Sequence, residues 1–152
     1  MRSIRIAALI LVGCASWPAA GGAEESAVLG VIERLFRAMA ARDEAALRAV
    51  MLPEGRYLVV RADGIVSSGT NAEFIARVAA SKDTLWERIW APQVMVRPGT
   101  ASVWAPYDFH RNGKFSHCGV DSFHLLKTPT GWKIAGLSYT VEPTGCAVRG
   151  PG

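Results

Sequence analysis

Residues 102–141 read SVWAPYDFH, RNGK, FSHCGVDSFHLLK, TPTG and WKIAGLSYTV. Three runs rich in aromatic and β-branched residues are separated by two turn signals. Asn112-Gly113 is the strongest short hairpin signal in the chain, because both central positions of a type I′ turn need a positive φ. Pro129-Thr130-Gly131 marks the second reversal. Strands are therefore expected over Ser102–His110, Phe115–Lys127 and Trp132–Val141. Working outward, Leu85–Arg97 reads as one more strand, ended by Pro98-Gly99. Four successive strands joined by short turns make an antiparallel meander.

Upstream the period changes. Asn71–Ala80 is a helix with Thr70 as its cap and Phe74, Ile75 and Val78 on its buried side. Tyr57–Arg61 opens a hairpin through Asp63-Gly64. Asp43 caps a short helix that runs through Leu47 and Val50 and is stopped by Pro53. Glu24–Ala41 carries Val28, Val31, Ile32, Leu35, Phe36 and Met39 at helical spacing, with Glu33, Arg34 and Arg37 off that face. Helices first and strands after mean α+β, with helices packed on one face of a curved sheet.

The first 23 residues read as an export signal. Arg2 and Arg5 precede the apolar run Ile6–Gly13, and the small residues at 19–23 suit signal-peptidase cleavage. Leu11-Val12-Gly13-Cys14 also matches a lipobox, the alternative in which Cys14 is acylated. That run is too short to span a bilayer, so membrane attachment is expected only through Cys14. The expected product is periplasmic or secreted. Residues 24–146 are then one domain and 147–152 a C-terminal tail. Residues 24–152 hold 15 basic and 13 acidic side chains, too slight an excess to suggest nucleic acid binding. Cys118 and Cys146 are an even pair in an oxidising compartment and read as a disulfide.

The order of elements resembles the nuclear transport factor 2-like superfamily, and more narrowly its SnoaL-like and lumazine-binding branch. The resemblance rests on Val31-Ile32-Glu33-Arg34-Leu35-Phe36 with Ala41-Arg42-Asp43. Val103 to Phe109, Gly113 to Gly119 and Gly131-Trp132-Lys133-Ile134 extend it along the sheet. It implies a cystatin-like cone with a pocket between helices and sheet. Dehydratases, isomerases, cyclases, carriers and inert partners share that superfamily, so the likeness implies a fold before it implies a reaction. Many relatives dimerise through the sheet, and an apolar outer face here would suit a homodimer.

If Asn112-Gly113 is a two-residue turn, Arg111 faces Lys114, Asp108 faces His117 and Trp104 faces Asp121. The last hairpin sets Asp121 opposite Ser138 and Leu125 opposite Ile134. One face then holds Trp104, Asp108, His117, Asp121, Phe123, Leu125, Trp132, Ile134 and Ser138. The other holds Tyr107, Val120, Ser122, His124, Leu137 and Tyr139, and a slip of one residue would exchange them.

The acid/base candidates are Asp121, between apolar neighbours, and an Asp108–His117 pair. Candidate ligand contacts are Trp104, Tyr107, Phe123 and Ser138, with Arg88 and Trp90 from the Trp86-Arg88-Trp90 alternation. The competing readings of these residues are a sheet-rim hydrogen bond for the pair, a sheet tie for Asp121 and core volume for the tryptophans. His110, His117 and His124 are too scattered for a metal set, and no cofactor is expected. Three functions follow: a carrier of a small apolar or aromatic molecule, a cofactor-free dehydratase or isomerase, or a dimeric assembly partner whose cone is filled.

Overall fold

Val28, Val31, Ile32, Leu35, Ala38 and Met39 recur every three or four residues and bury one side of α1 (Gly21–Ala41). The computed structural model describes residues 21–146, so the expected export segment falls almost wholly outside it, as does the 147–152 tail. Arg42, at φ 55°, ends α1, and the Asp43 N–H reaches back to the Ala38 carbonyl. The Asp43 side chain then caps α2 (Glu44–Val50), accepting from the Ala46 N–H. Met51 leads directly into β1 (Met51–Arg61), so Pro53 lies within a strand rather than stopping the helix from outside.

A hairpin at Asp63-Gly64 joins β1 to β2 (Val66–Thr70), and Thr70 opens α3 (Asn71–Ala79) with a full capping box closed by Glu73. The remaining strands are β3 (Leu85–Ile89), β4 (Gln93–Arg97), β5 (Thr100–Arg111), β6 (Lys114–Thr128) and β7 (Gly131–Val141). Among the described residues they form one seven-stranded sheet in the order β2-β1-β7-β6-β5-β3, with β4 also on β5. The last four expected segments pair in sequence order. The sheet is mixed rather than wholly antiparallel, because β1 lies parallel to β7. Asn71, fully buried, donates to the carbonyls of Leu52 and Ile134 and ties the irregular start of that pairing.

Bulges decide which side chains face the helices. Arg111 pairs with Lys114 as expected, but Ser116 is an extra residue in β6. From there Phe109 faces His117 and Ala105 faces Asp121, in place of Asp108 and Trp104. Leu125 pairs with Ile134 as expected, and Ala135 is then extra in β7, so Asp121 faces Tyr139 instead of Ser138. The single strand expected over Leu85–Arg97 is likewise broken at residues 90–92: Ile89 faces Tyr107 while Gln93 faces Trp104. Each extra residue reverses the alternation beyond it and bends the sheet.

The concave side therefore carries Tyr107, Phe109, His117, Asp121, Leu137 and Tyr139. Trp104 and Ser138 move to the convex side with Ser122 and His124. The core is solid where α1 meets Phe123, Leu125 and Ile134. Past β7 the chain returns to β6, where Glu142 pairs with Cys118 and Cys146 forms a disulfide with it.

Candidate functional site

Toward the other end of the cone the helices and the concave sheet enclose a cavity of about 470 Å³. Leu35 and Met39 of α1 and Phe74 and Val78 of α3 form its helical wall. Tyr57, Val59, Tyr107, Phe109, Leu137, Tyr139 and Val141 form the sheet wall. Its acidic groups are Asp121 on β6 and Glu87 on β3. Leu85, Glu87 and Ile89 alternate inward, so Glu87 points at the cavity and keeps part of its surface open to it.

The curvature brings the Glu87 and Asp121 carboxyls into a hydrogen bond with each other. Two carboxylates would repel at that distance, so the bond requires a proton. The buried Oδ2 of Asp121 has no hydrogen-bond partner among the described residues, so no donor there favours its charged form. Burial pushes Glu87 up to about 7, and the field of Asp108 adds to the rise. Burial, and then the charge of Glu87, raises Asp121 well above the usual carboxylate range. This is an interior proton reservoir facing open volume.

The neighbouring polar groups stay neutral. Burial first, and the Arg111 charge second, lower the pKa of His117. Its ring lies 4.9 Å from Phe109 and edge-on to Tyr107, with Nδ1 3.0 Å from the Ser116 hydroxyl. Burial raises Tyr107 strongly and carries Tyr139 up to about 12. The Tyr107 hydroxyl donates to the Thr140 carbonyl at 2.7 Å. That carbonyl is free because the Thr140 hydroxyl, not its backbone, accepts from the Val120 N–H.

The expected Asp108–His117 pair does not form. Asp108 is buried on the convex side, where Arg88 Nε and Nη2 donate to its two oxygens at 3.0 Å each. His110 Nε2 lies 3.5 Å from Oδ1, and Trp86 packs on both His110 and the guanidinium. Arg88 is thus engaged by Asp108 and faces away from the cavity. Trp104 is 44% exposed and Ser138 lies open on the same convex side. Phe123 packs edge-on against Phe36 in the solid core, and Trp90 lies outside the cavity lining, its backbone N–H donating to the Pro106 carbonyl. Of the expected site residues, Asp121, His117 and Tyr107 meet at the cavity. Glu87 joins them unforeseen. Its signal was the Leu85-Glu87-Ile89 alternation, out of step with the tryptophans.

Among the described residues no group of three His, Cys, Asp or Glu side chains could hold a metal ion. No helix there is long and apolar enough to cross a membrane.

The chain superposes on solved structures of low sequence identity, which bear on the fold alone. A Shewanella baltica nuclear transport factor 2-like protein of unknown function is 16% identical, with TM-score 0.64 over 82% of this chain and 98% of that one. A Salmonella enterica superfamily member is 19% identical, with TM-score 0.64 over 87% and 100%. A Streptomyces avermitilis protein described as a "putative dehydratase" is 18% identical, with TM-score 0.63 over 78% and 96%. A comparison with curated proteins finds no match. The family model described as "Putative lumazine-binding" matches residues 23–140. That match spans most of the chain, which belongs to this family and has the nuclear transport factor 2-like fold.

Proposed function

We propose that the chain is an exported small-molecule-binding protein whose ligand occupies the cavity between the helices and the concave sheet. The observation carrying this reading is the open volume itself: about 470 Å³ of mostly apolar wall with a few convergent polar groups. Sites for small organic molecules have that size and character. A filled, inert cone would have no such space. The family description points the same way.

Native mass spectrometry tests it, with lumazine, naphthalene-2-carboxamide and naphthalene-2-carboxylate as bicyclic probes. One molecule per chain is expected, lost in Leu137→Trp, which fills the cavity. A chain that co-purifies with nothing and takes none of the three would sink the proposal.

A second reading has its own support. The Glu87–Asp121 pair holds a proton inside a cavity, the arrangement that proton abstraction or dehydration needs. Asp121→Asn should then keep ligand affinity and lose turnover, whereas a pure carrier shows no turnover to lose.

We read residues 1–23 as the export signal, and the disulfide supports an oxidising location. A mature chain starting at Glu24 fits ordinary cleavage; one starting at acylated Cys14 fits the lipoprotein route. The exposed Leu58, Val60 and Trp104 make the convex face the natural seat for a second copy. Light scattering is expected to give a dimer, and Trp104→Glu a monomer.

A further inference from the structure

The charged groups of the cavity divide by depth. Glu87 and Asp121 are interior, whereas Arg61, Arg77 and Arg111 line the same space from exposed positions on β1, α3 and β5. Three guanidiniums thus line one cavity, and the acids near them, Asp83 at 3.5 Å from Arg111 Nε and Glu73 in the field of Arg77, lie outside its lining. The only acids of the lining are the interior pair, which burial drives toward the protonated form.

Each arginine is held only lightly. Arg77 Nη1 donates to the Tyr57 hydroxyl at 2.6 Å, and its guanidinium lies 4.8 Å and 5.4 Å from the Tyr57 and Phe74 ring centres. That fixes its plane while spending one N–H of five. Arg111 Nε is 3.5 Å from an Asp83 oxygen, a long contact between exposed groups. The cations are felt on the cavity wall: Arg111 helps to keep His117 neutral, and Arg77 draws Tyr139 downward against the effect of burial.

We infer that the ligand is a small organic acid, its apolar ring-sized body enclosed by Tyr107, Phe109 and Leu137 and its anionic group held at the mouth by Arg61, Arg77 and Arg111. The inference rests on the reading of the cavity as the ligand site and names the chemistry that site selects. A planar guanidinium meets a carboxylate, sulfonate or phosphate through two parallel N–H bonds, and the anion relieves the repulsion among the three cations. The interior pair, sharing one proton, carries one negative charge rather than two.

Calorimetry with naphthalene-2-carboxylate and naphthalene-2-carboxamide isolates the charge, since the two probes share ring and size. At low ionic strength and pH 7 the carboxylate is expected to bind about tenfold tighter or more. That advantage should shrink with added salt. Arg61→Gln and Arg111→Gln, both at exposed positions, should each cut the carboxylate's advantage severalfold and leave the amide's affinity unchanged. Arg77→Gln should do the same, with its melting temperature checked because the side chain also packs on two rings. Equal binding of the two probes, or a preference that survives all three substitutions, overturns the organic-acid assignment and leaves the cavity reading intact. Failure of both probes overturns this inference, and the cavity reading falls with it when lumazine also fails to bind and nothing co-purifies.

Discussion

Glu87 and Asp121 titrate as a unit, since each lies in the other's field. In an unfolded chain both carboxyls lose their protons near pH 4. In the fold Glu87 keeps its proton up to about 7. Between those limits the folded state binds more protons, so stability falls as pH rises through the window. Urea midpoints should therefore drop from pH 5 to pH 7.5, and Glu87→Gln should flatten the slope. An unchanged slope would mean that the pair is not coupled as described. His117 has the opposite sign: its lowered pKa makes its contribution complete above about pH 6.5 and lost on acidification. The two effects thus separate by direction. On the convex side, Asp108→Asn removes the anion that Arg88 grips with two nitrogens. The expected cost is about 2–4 kcal/mol in urea denaturation, because a half-buried guanidinium loses its partner. Ligand affinity in the cavity should not change, which distinguishes a structural Asp108 from one that serves the site.

At the scale of elements, legibility followed locality. The caps at Asp43 and Thr70 and the turn at Asn112-Gly113 are made by neighbours in sequence, and each is where the pattern put it. The bulges are not local. Nothing about Ser116 or Ala135 marks either as extra, since what inserts them is the fit of β6 between β5 and β7. The extra Ser116 moved Trp104 and Asp108 from the cavity face to the convex face, and the extra Ala135 moved Ser138 out and brought Leu137 and Tyr139 in. Glu87 could have been read from its apolar flanks at 85 and 89, but Trp86, Arg88 and Trp90 offered a heavier alternation. The parallel pairing of β1 with β7 had no signal, because it joins segments some eighty residues apart. One glycine reports the same packing. A Cβ on Gly119 would run into the Thr140 carbonyl and hydroxyl, the two groups that bind Tyr107 and Val120. Gly119→Ala is expected to cost about 1–3 kcal/mol and to loosen Tyr107 at the cavity wall. Ring-proton NMR of Tyr107 would show the loosening, and an unshifted signal would contradict the tight approach.

For the molecule as a whole, the cavity removes apolar contacts that a domain of this size would otherwise use for stability. The disulfide acts against that deficit from outside the site. Cys118 points to the convex side, one residue from His117, and its bond to Cys146 pins the chain beyond β7 where Glu142 pairs with Cys118. The bridged residues are 28 apart. Closing such a loop restricts the unfolded chain and stabilises the fold by about 3–4 kcal/mol. Cys146→Ser, or reduction with dithiothreitol, should lower the unfolding free energy in urea by that amount. The expected companion result is unchanged probe affinity below the midpoint, because neither cysteine lines the cavity. Loss of binding before loss of structure would instead tie the segment after β7 to the cavity, which Val141 lines. The cross-link would then be part of the site rather than the support that lets a hollow cone stand.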